Sequence, residues 1–464
     1  MLKIHVVRHG GHRYYVDDLV PGRAEGTLVA GEAPGVWTGA GSSLLGMTGV
    51  VEARCFGEVL EGRDPWSGAA LRKSVGERSA AGYDLTFCAP KSVSLLHLLA
   101  PREMAGAVGA GHHAAVTEAT EYLQRVAVGV RRTRAGRTSY LSSVGVVAGQ
   151  FPHRTSRALD PHLHTHLVVA NVTAALDGGW SSLDGRRLFT HARAAGAIYN
   201  ARLRMELSDR IGAAWEVAPS GLGDVIGVDT SMRRLFSQRS AAIEEYVVRR
   251  MGLRSPGRTR GAFHATRPAK DPVRTVESLV DGWKQRATDH GFDLGDLTRV
   301  IGRRHELPAG AEIDGGRVRE QLGRLAGRNR TLARRDLVAV IARASTAGTS
   351  AEVVEAVAAR LVDAAGPPLS GNLVRSQVTA PDRALGRPVP ETRWTAADMA
   401  RAIEGTEALL APTGRQSGLS AIGGSNSGHS RSGHSRRLPE WDRDSALVAE
   451  RSTVAPDVQL KLER

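Results

Sequence analysis

The sequence predicts a mixed domain of strands and helices, α/β or α+β, running from the N-terminus to about Asp293, and three observations carry that prediction. Strand-like and helix-like segments alternate along this stretch with short polar connections. The strand-like segments are short and rich in β-branched residues, and proline punctuates them. Hydrophobic residues make up 41% of the 464-residue chain, enough apolar surface for at least one large core.

Taken in order, Leu85–Ala89 alternates and is closed by Pro90, as a strand would be. The alanine-rich run from Glu103 to about Val130 predicts a long helix. A second strand is expected over Val144–Pro152 and a third over His162–Val172. A second helix over Thr190–Ile211 places Ala197, Leu203 and Leu207 at helical spacing. Beyond Asp293 the chain becomes rich in Arg, Ala and Leu. That composition predicts a small helical region over 294–410, broken at Gly366-Pro367-Pro368 and near Pro388 and Pro390. From Ala411 to the end, 411–464, Gly, Ser, His and Arg dominate; such a tail cannot bury a core and is expected to be disordered.

Lys and Arg number 62 against 48 Asp and Glu, a formal net charge of +14 that favours a polyanionic partner. Arginine supplies most of that charge, and guanidinium groups bind phosphate in a bidentate way and stack on bases. Only two cysteines occur, Cys55 and Cys88, and neither lies in a C-x-x-C pattern, which excludes a zinc-thiolate site and points to a reduced compartment. No stretch approaches the roughly 18 apolar residues of a membrane span, and Met1-Leu2-Lys3-Ile4-His5 lacks a signal-peptide core. A cytoplasmic protein is therefore expected.

The most informative stretch is Phe151–Asn171, which carries His153, His162, His164 and His166. Side chains at i and i+2 on a strand share a face, about 6.5 Å apart at ~3.3 Å rise per residue, so His164 and His166 can grip one ion. His162 shares that face but stands roughly 13 Å from His166, too far for both rings to reach an ion at ~2.1 Å. His153 closes the preceding strand, and the connection Arg154–Pro161 is short enough to fold it back beside His164. Three imidazoles without a thiolate leave coordination positions open, as a catalytic metal site requires. A lone histidine would ordinarily be a packing residue; the alternation is what argues otherwise.

Phe151–Asn171, Gly82–Ser94 with its Ala89-Pro90-Lys91-Ser92 run, and the pair Tyr14-Tyr15 together resemble the MobF group of conjugative relaxases, the TrwC/TraI-like proteins of the histidine-triad (HUH) class. Trp37–Gly41, Tyr199–Leu203, Thr266–Lys270 and Trp283 extend the likeness, in order, over nearly all of the chain up to Asp293. The resemblance implies an α+β fold, a palm or ferredoxin-like antiparallel sheet with flanking helices. It implies that His153, His164 and His166 hold a divalent metal, Mg²⁺ or Mn²⁺, and that Asp84 orients one of them. It implies a tyrosine nucleophile, with Tyr14 favoured over Tyr15. Several relatives have a second tyrosine pair a few residues later, where this chain reads Val20-Pro21-Gly22-Arg23. A mechanism using two tyrosines in succession is not expected here.

The activity so implied is site- and strand-specific nicking at an origin of transfer, leaving a 5′-phosphotyrosine and a free 3′-hydroxyl. The implied partners are single-stranded DNA beside a hairpin and the coupling and secretion proteins of conjugation, with carriage into the recipient cell along with the strand. Arg132, Arg134, Arg137, Arg154 and Arg157 are the expected DNA contacts, although an arginine cluster on a loop is also an ordinary solvated surface. Relatives usually continue into a helicase with a G-x-x-x-x-G-K-[ST] loop; no Gly-Lys dipeptide occurs here, so no ATPase or helicase activity is expected. Arg335–Leu361 and Trp394–Met399 resemble the helical lead-in to such a motor. Two other readings are a non-catalytic origin-binding repressor and a rolling-circle replication initiator using the same chemistry.

Overall fold

Alternation along the first strand, β1 (Leu2–Arg8), already divides the molecule into two layers. Leu2 and Ile4 turn toward one hydrophobic cluster and Val7 toward another, with a β-sheet between them. The computed structural model describes residues 1–9, 29–30, 32–73, 79–134, 137–156, 158–251, 274–306, 313–326, 331–365 and 393–395. Among these, the principal strands after β1 are β2 (Val36–Thr38), β3 (Ala80–Cys88), the hairpin β4 (Gly129–Arg134) and β5 (Arg137–Ser142), β6 (Ala148–Thr155) and β7 (Pro161–Ala170). Five of them form a fully antiparallel sheet in the order β1-β3-β7-β6-β2. The fold is thus α+β, an antiparallel sheet with flanking helices as the resemblance implied; the α/β alternative falls away.

One sheet face is covered by α2 (Lys91–Leu99), α3 (Arg102–Val126) and α4 (Gly185–Ile211), which bury Leu95, Val108 and Leu203 against Leu85, Phe87 and Leu167. On the other face α1 (Ala53–Glu61) packs its Phe56, Val59 and Leu60 on Phe151, Val168 and Ala170, with Leu45, Met47 and Val51 beside them. The histidines stand on that second face beside the α1 cluster, where His164 is 8% exposed and His153 and His166 are half-buried.

The expected elements form, with shifted ends that have local causes. β6 begins at Ala148, not Val144, because Gly145 adopts φ 151°, outside strand geometry. It runs on through Pro152 to Thr155. Proline is tolerated there because β2 pairs only as far as Gln150, so Pro152 lies on an open edge. α3 stops at Val126, before Val130, since the chain turns into the β4–β5 hairpin, and α4 starts at Gly185, five residues ahead of the expected Thr190.

Past Asp293 the described helices stay on this core. Together with α5 (Gln238–Met251) and α6 (Val276–Asp289), α7 (Arg334–Ala344) and α8 (Ala351–Ala365) follow α4, and Leu337, Ile341, Val354 and Leu361 join the same apolar cluster as α3 and α4. Arg204 of α4, 1% exposed, fastens the end of α7: its guanidinium donates to the carbonyls of Ala342 (3.0 Å), Ser345 (2.7 and 3.1 Å) and Gly221 (3.0 Å). The bonds to Ala342 and Ser345 satisfy carbonyls that a helix end leaves open. The tail expected to be disordered, 411–464, lies outside the described residues. Among the described residues no helix is long and apolar enough to cross a membrane.

Candidate active site

The register of the three central strands decides which side chains meet. β3 pairs with β7 so that Thr86 faces His166 and Cys88 faces His164, and β6 pairs with β7 so that His153 lies opposite His164. Alternation sends Leu163, Thr165 and Leu167 toward α3, which turns His164 and His166 to the opposite face. His153 shares that face with Phe151. The three rings converge with centroids 5.1–5.3 Å apart, and one nitrogen from each lies within 4.8 Å of the others.

Each ring's chemistry is set by what surrounds it. His166 Nδ1 donates to both carboxylate oxygens of Asp84, at 2.9 and 3.0 Å, and Asp84 is 3% exposed. Thr86 Oγ1 donates to the same carboxylate at 3.2 Å. His164 Nδ1 donates to the His162 carbonyl at 2.9 Å. With both Nδ1 atoms committed as donors, Nε2 keeps its lone pair on each ring. Desolvation is the main cause that lowers the His153 pKa to about 3 and holds His164 well below the ordinary imidazole value; the neighbouring histidines reinforce it. Three converging imidazoles with a carboxylate behind one of them are a donor set that fits a divalent cation.

His162 is not one of the three converging rings. Its ring stacks on His164, centroids 4.7 Å apart and planes 27° from parallel. Lys3 and His5 were not anticipated. Alternation on β1 puts both on the histidine-bearing side of the sheet, exposed, with Lys3 opposite Thr86 and His5 opposite Asp84. Their signal was present in the Leu-Lys-Ile-His alternation, but it became legible only once β1 was known to pair with β3.

Of the expected arginines, Arg132, Arg134 and Arg137 lie on the β4–β5 hairpin, which is separate from the main sheet. Arg132 Nη2 donates to Asp177 at 2.9 Å, and Arg154 Nε donates to Glu32 at 2.9 Å. Tyr14, Tyr15 and Arg157 lie outside the described residues, as does Thr266–Lys270.

Residues 7–290 match the TrwC relaxase family, over more than half of the chain. This chain belongs to the TrwC relaxase family. Its relatives include the multifunctional conjugation protein TraI of Escherichia coli, 32% identical over 338 residues, and TraI of Escherichia coli strain K12, 31% identical over the same length. The matches cover 69% of this chain but 18% of TraI, so the chain spans about a fifth of the length of the curated relatives it matches. Solved structures of the conjugative relaxase TrwC with OriT DNA, metal-free and metal-bound, are each 30% identical, with TM-scores of 0.55 and 0.56. A TrwC complex with a 27-mer DNA comprising the recognition hairpin and the cleavage site is 29% identical, with a TM-score of 0.54. Each match covers 63% of this chain and 100% of the TrwC chain.

Proposed function

We propose that this relaxase nicks one strand at an origin of transfer with Tyr14, and rejoins the strand after transfer. The observation that carries the reading is the triad itself: three imidazoles converging on one sheet face, one oriented by a buried carboxylate. TrwC has been solved with the recognition hairpin and cleavage site of its DNA, which supports a single strand beside a hairpin as the ligand here. TrwC structures with bound metal and with copper support a metal at the corresponding place.

His153, His164 and His166 would hold the cation, which when bound supplies positive charge to the scissile phosphate's non-bridging oxygens. Asp84 fixes the His166 tautomer and ring plane, so that ring keeps its lone pair toward the shared centre. Tyr14 loses its phenolic proton, its oxygen forms the new bond to phosphorus, and the bond from phosphorus to the 3′ oxygen breaks. The 3′ oxygen takes up a proton. One phosphodiester is exchanged for another, so the step reverses without a nucleotide, which is what rejoining requires. Lys3 and His5 line the strand's approach, and Arg134 and Arg137 contact phosphate from the β4–β5 hairpin. Residues 1–293 carry the chemistry; the helices beyond brace it. Coupling and secretion proteins are the further partners.

The test is cleavage of an origin-bearing single strand by the purified chain. Mg²⁺ or Mn²⁺ is expected to support nicking and EDTA to abolish it. Undiminished cleavage in EDTA contradicts the reading.

A further inference from the structure

The connection between β6 and β7, 156–160, joins the strand of one triad histidine to the strand of the other two, and it is strained. Leu159 has φ 54°, the one non-glycine residue with positive φ among the described residues. A left-handed leucine persists only where its surroundings over-determine it. Within the turn, Leu159 N donates to Ser156 O and Ser156 N to Asp160 O, each at 2.9 Å, and Asp160 N donates to Ser156 Oγ at 3.1 Å.

Three helices then grip it from outside. Trp283 of α6, 1% exposed, donates its indole N–H to the Leu159 carbonyl at 2.8 Å. Asp160, also 1% exposed, accepts from the Gln238 backbone N and side-chain amide of α5, both at 2.8 Å, and faces Arg286 of α6 at 3.4 Å. Lys91 of α2 donates to the Pro161 carbonyl at 2.6 Å.

The ladder beside this turn explains what the grip does. His153 pairs with His164 while Thr155 pairs with Pro161, so the ladder shifts by one residue between them. A one-residue slip would set Leu163 or Thr165 opposite His153, and both belong to the opposite face. We propose that Trp283 and Asp160 are positioning residues for the triad: by clamping the turn from α5 and α6 they hold the bulged register that brings His153 to His164 and His166. This rests on the triad being the metal site.

The experiment uses the full chain with two near-isosteric changes, Trp283→Phe, which removes the indole donor, and Asp160→Asn, which removes the charge. Mn²⁺ affinity is read by electron paramagnetic resonance. In metal-free protein, nuclear Overhauser contact between the His153 and His164 rings reports the register, and the thermal midpoint reports stability. Both variants are expected to bind Mn²⁺ at least tenfold more weakly and to weaken the ring-to-ring contact at temperatures where they remain folded. A lowered thermal midpoint with Mn²⁺ affinity within twofold and the contact intact would overturn the proposal, because the residues would then be only structural. If the wild-type chain binds no Mn²⁺ while the contact still tracks the variants, the metal reading falls and the clamp stands.

Discussion

Asp84 and His166 are diagonal neighbours on adjacent strands, the ring's Nδ1–H shared between both carboxylate oxygens at 2.9 and 3.0 Å. Removing the carboxylate releases the tautomer and the ring plane together. Asp84→Ala is expected to weaken Mn²⁺ binding about 10- to 100-fold and to lower nicking in step, with nicking partly restored at high metal. Titration of metal into the variant checks this; unchanged affinity would remove Asp84 from the site.

The stacking of His162 on His164 separates support from ligation. His164→Ala and His166→Ala should each lose most nicking while still binding DNA, whose affinity rests mainly on phosphate contacts. His162→Ala should be much milder. A nicking series in which His162→Ala is the most damaging would show the ligand set to be misassigned.

Buried histidine gives the protein a predictable acid limit. His112, 3% exposed between α3 and the sheet, bonds Thr165 Oγ1 at 2.9 Å and Tyr199 OH at 2.8 Å. Desolvation, reinforced by nearby positive groups, lowers its pKa to about 3. Between the unfolded value near 6.5 and this folded value the unfolded chain binds the extra proton. Stability is therefore retained above about pH 6.5 and falls as pH is lowered through that window, by about 1.4 kcal/mol per pH unit from this group. Urea unfolding across pH 4–7 should show a shallower slope in His112→Leu than in the wild type; equal slopes would contradict the assignment.

His164 and His166 were legible in the sequence because strand alternation is a two-residue rule, and His153 because a short connection folds its strand back beside them; Asp84 was implied only by the resemblance. His162 could be set aside on rise per residue alone. The packing of 294–365 was not legible: Arg204 reads as one more surface arginine on a helix, and only the fold brings the carbonyls of Ala342 and Ser345 to it. The β6 start was missed for a similar reason, since Gly145 shows its φ only in place.

That packing yields a prediction about truncation. A chain ending at Asp293 keeps His153, His164, His166 and Asp84 but loses two of Arg204's three acceptor residues and uncovers the apolar face beneath α7. It is expected to form the DNA adduct yet to melt several degrees lower, because losing two acceptor residues and exposing the apolar face are both costly. An unchanged melting temperature would show the helices beyond Asp293 to be passengers.

The central claim is covalent attack by a tyrosine, and the most direct measurement is mass spectrometry of the peptide that carries DNA after cleavage of an origin-bearing strand with Mn²⁺. The nucleotide is expected on Tyr14, with Tyr14→Phe giving no adduct while folding and DNA binding persist, and Tyr15→Phe giving the adduct as before. A nucleotide on Tyr15 or on any of the other five of the chain's seven tyrosines, or cleavage with no adduct at all, would contradict the account.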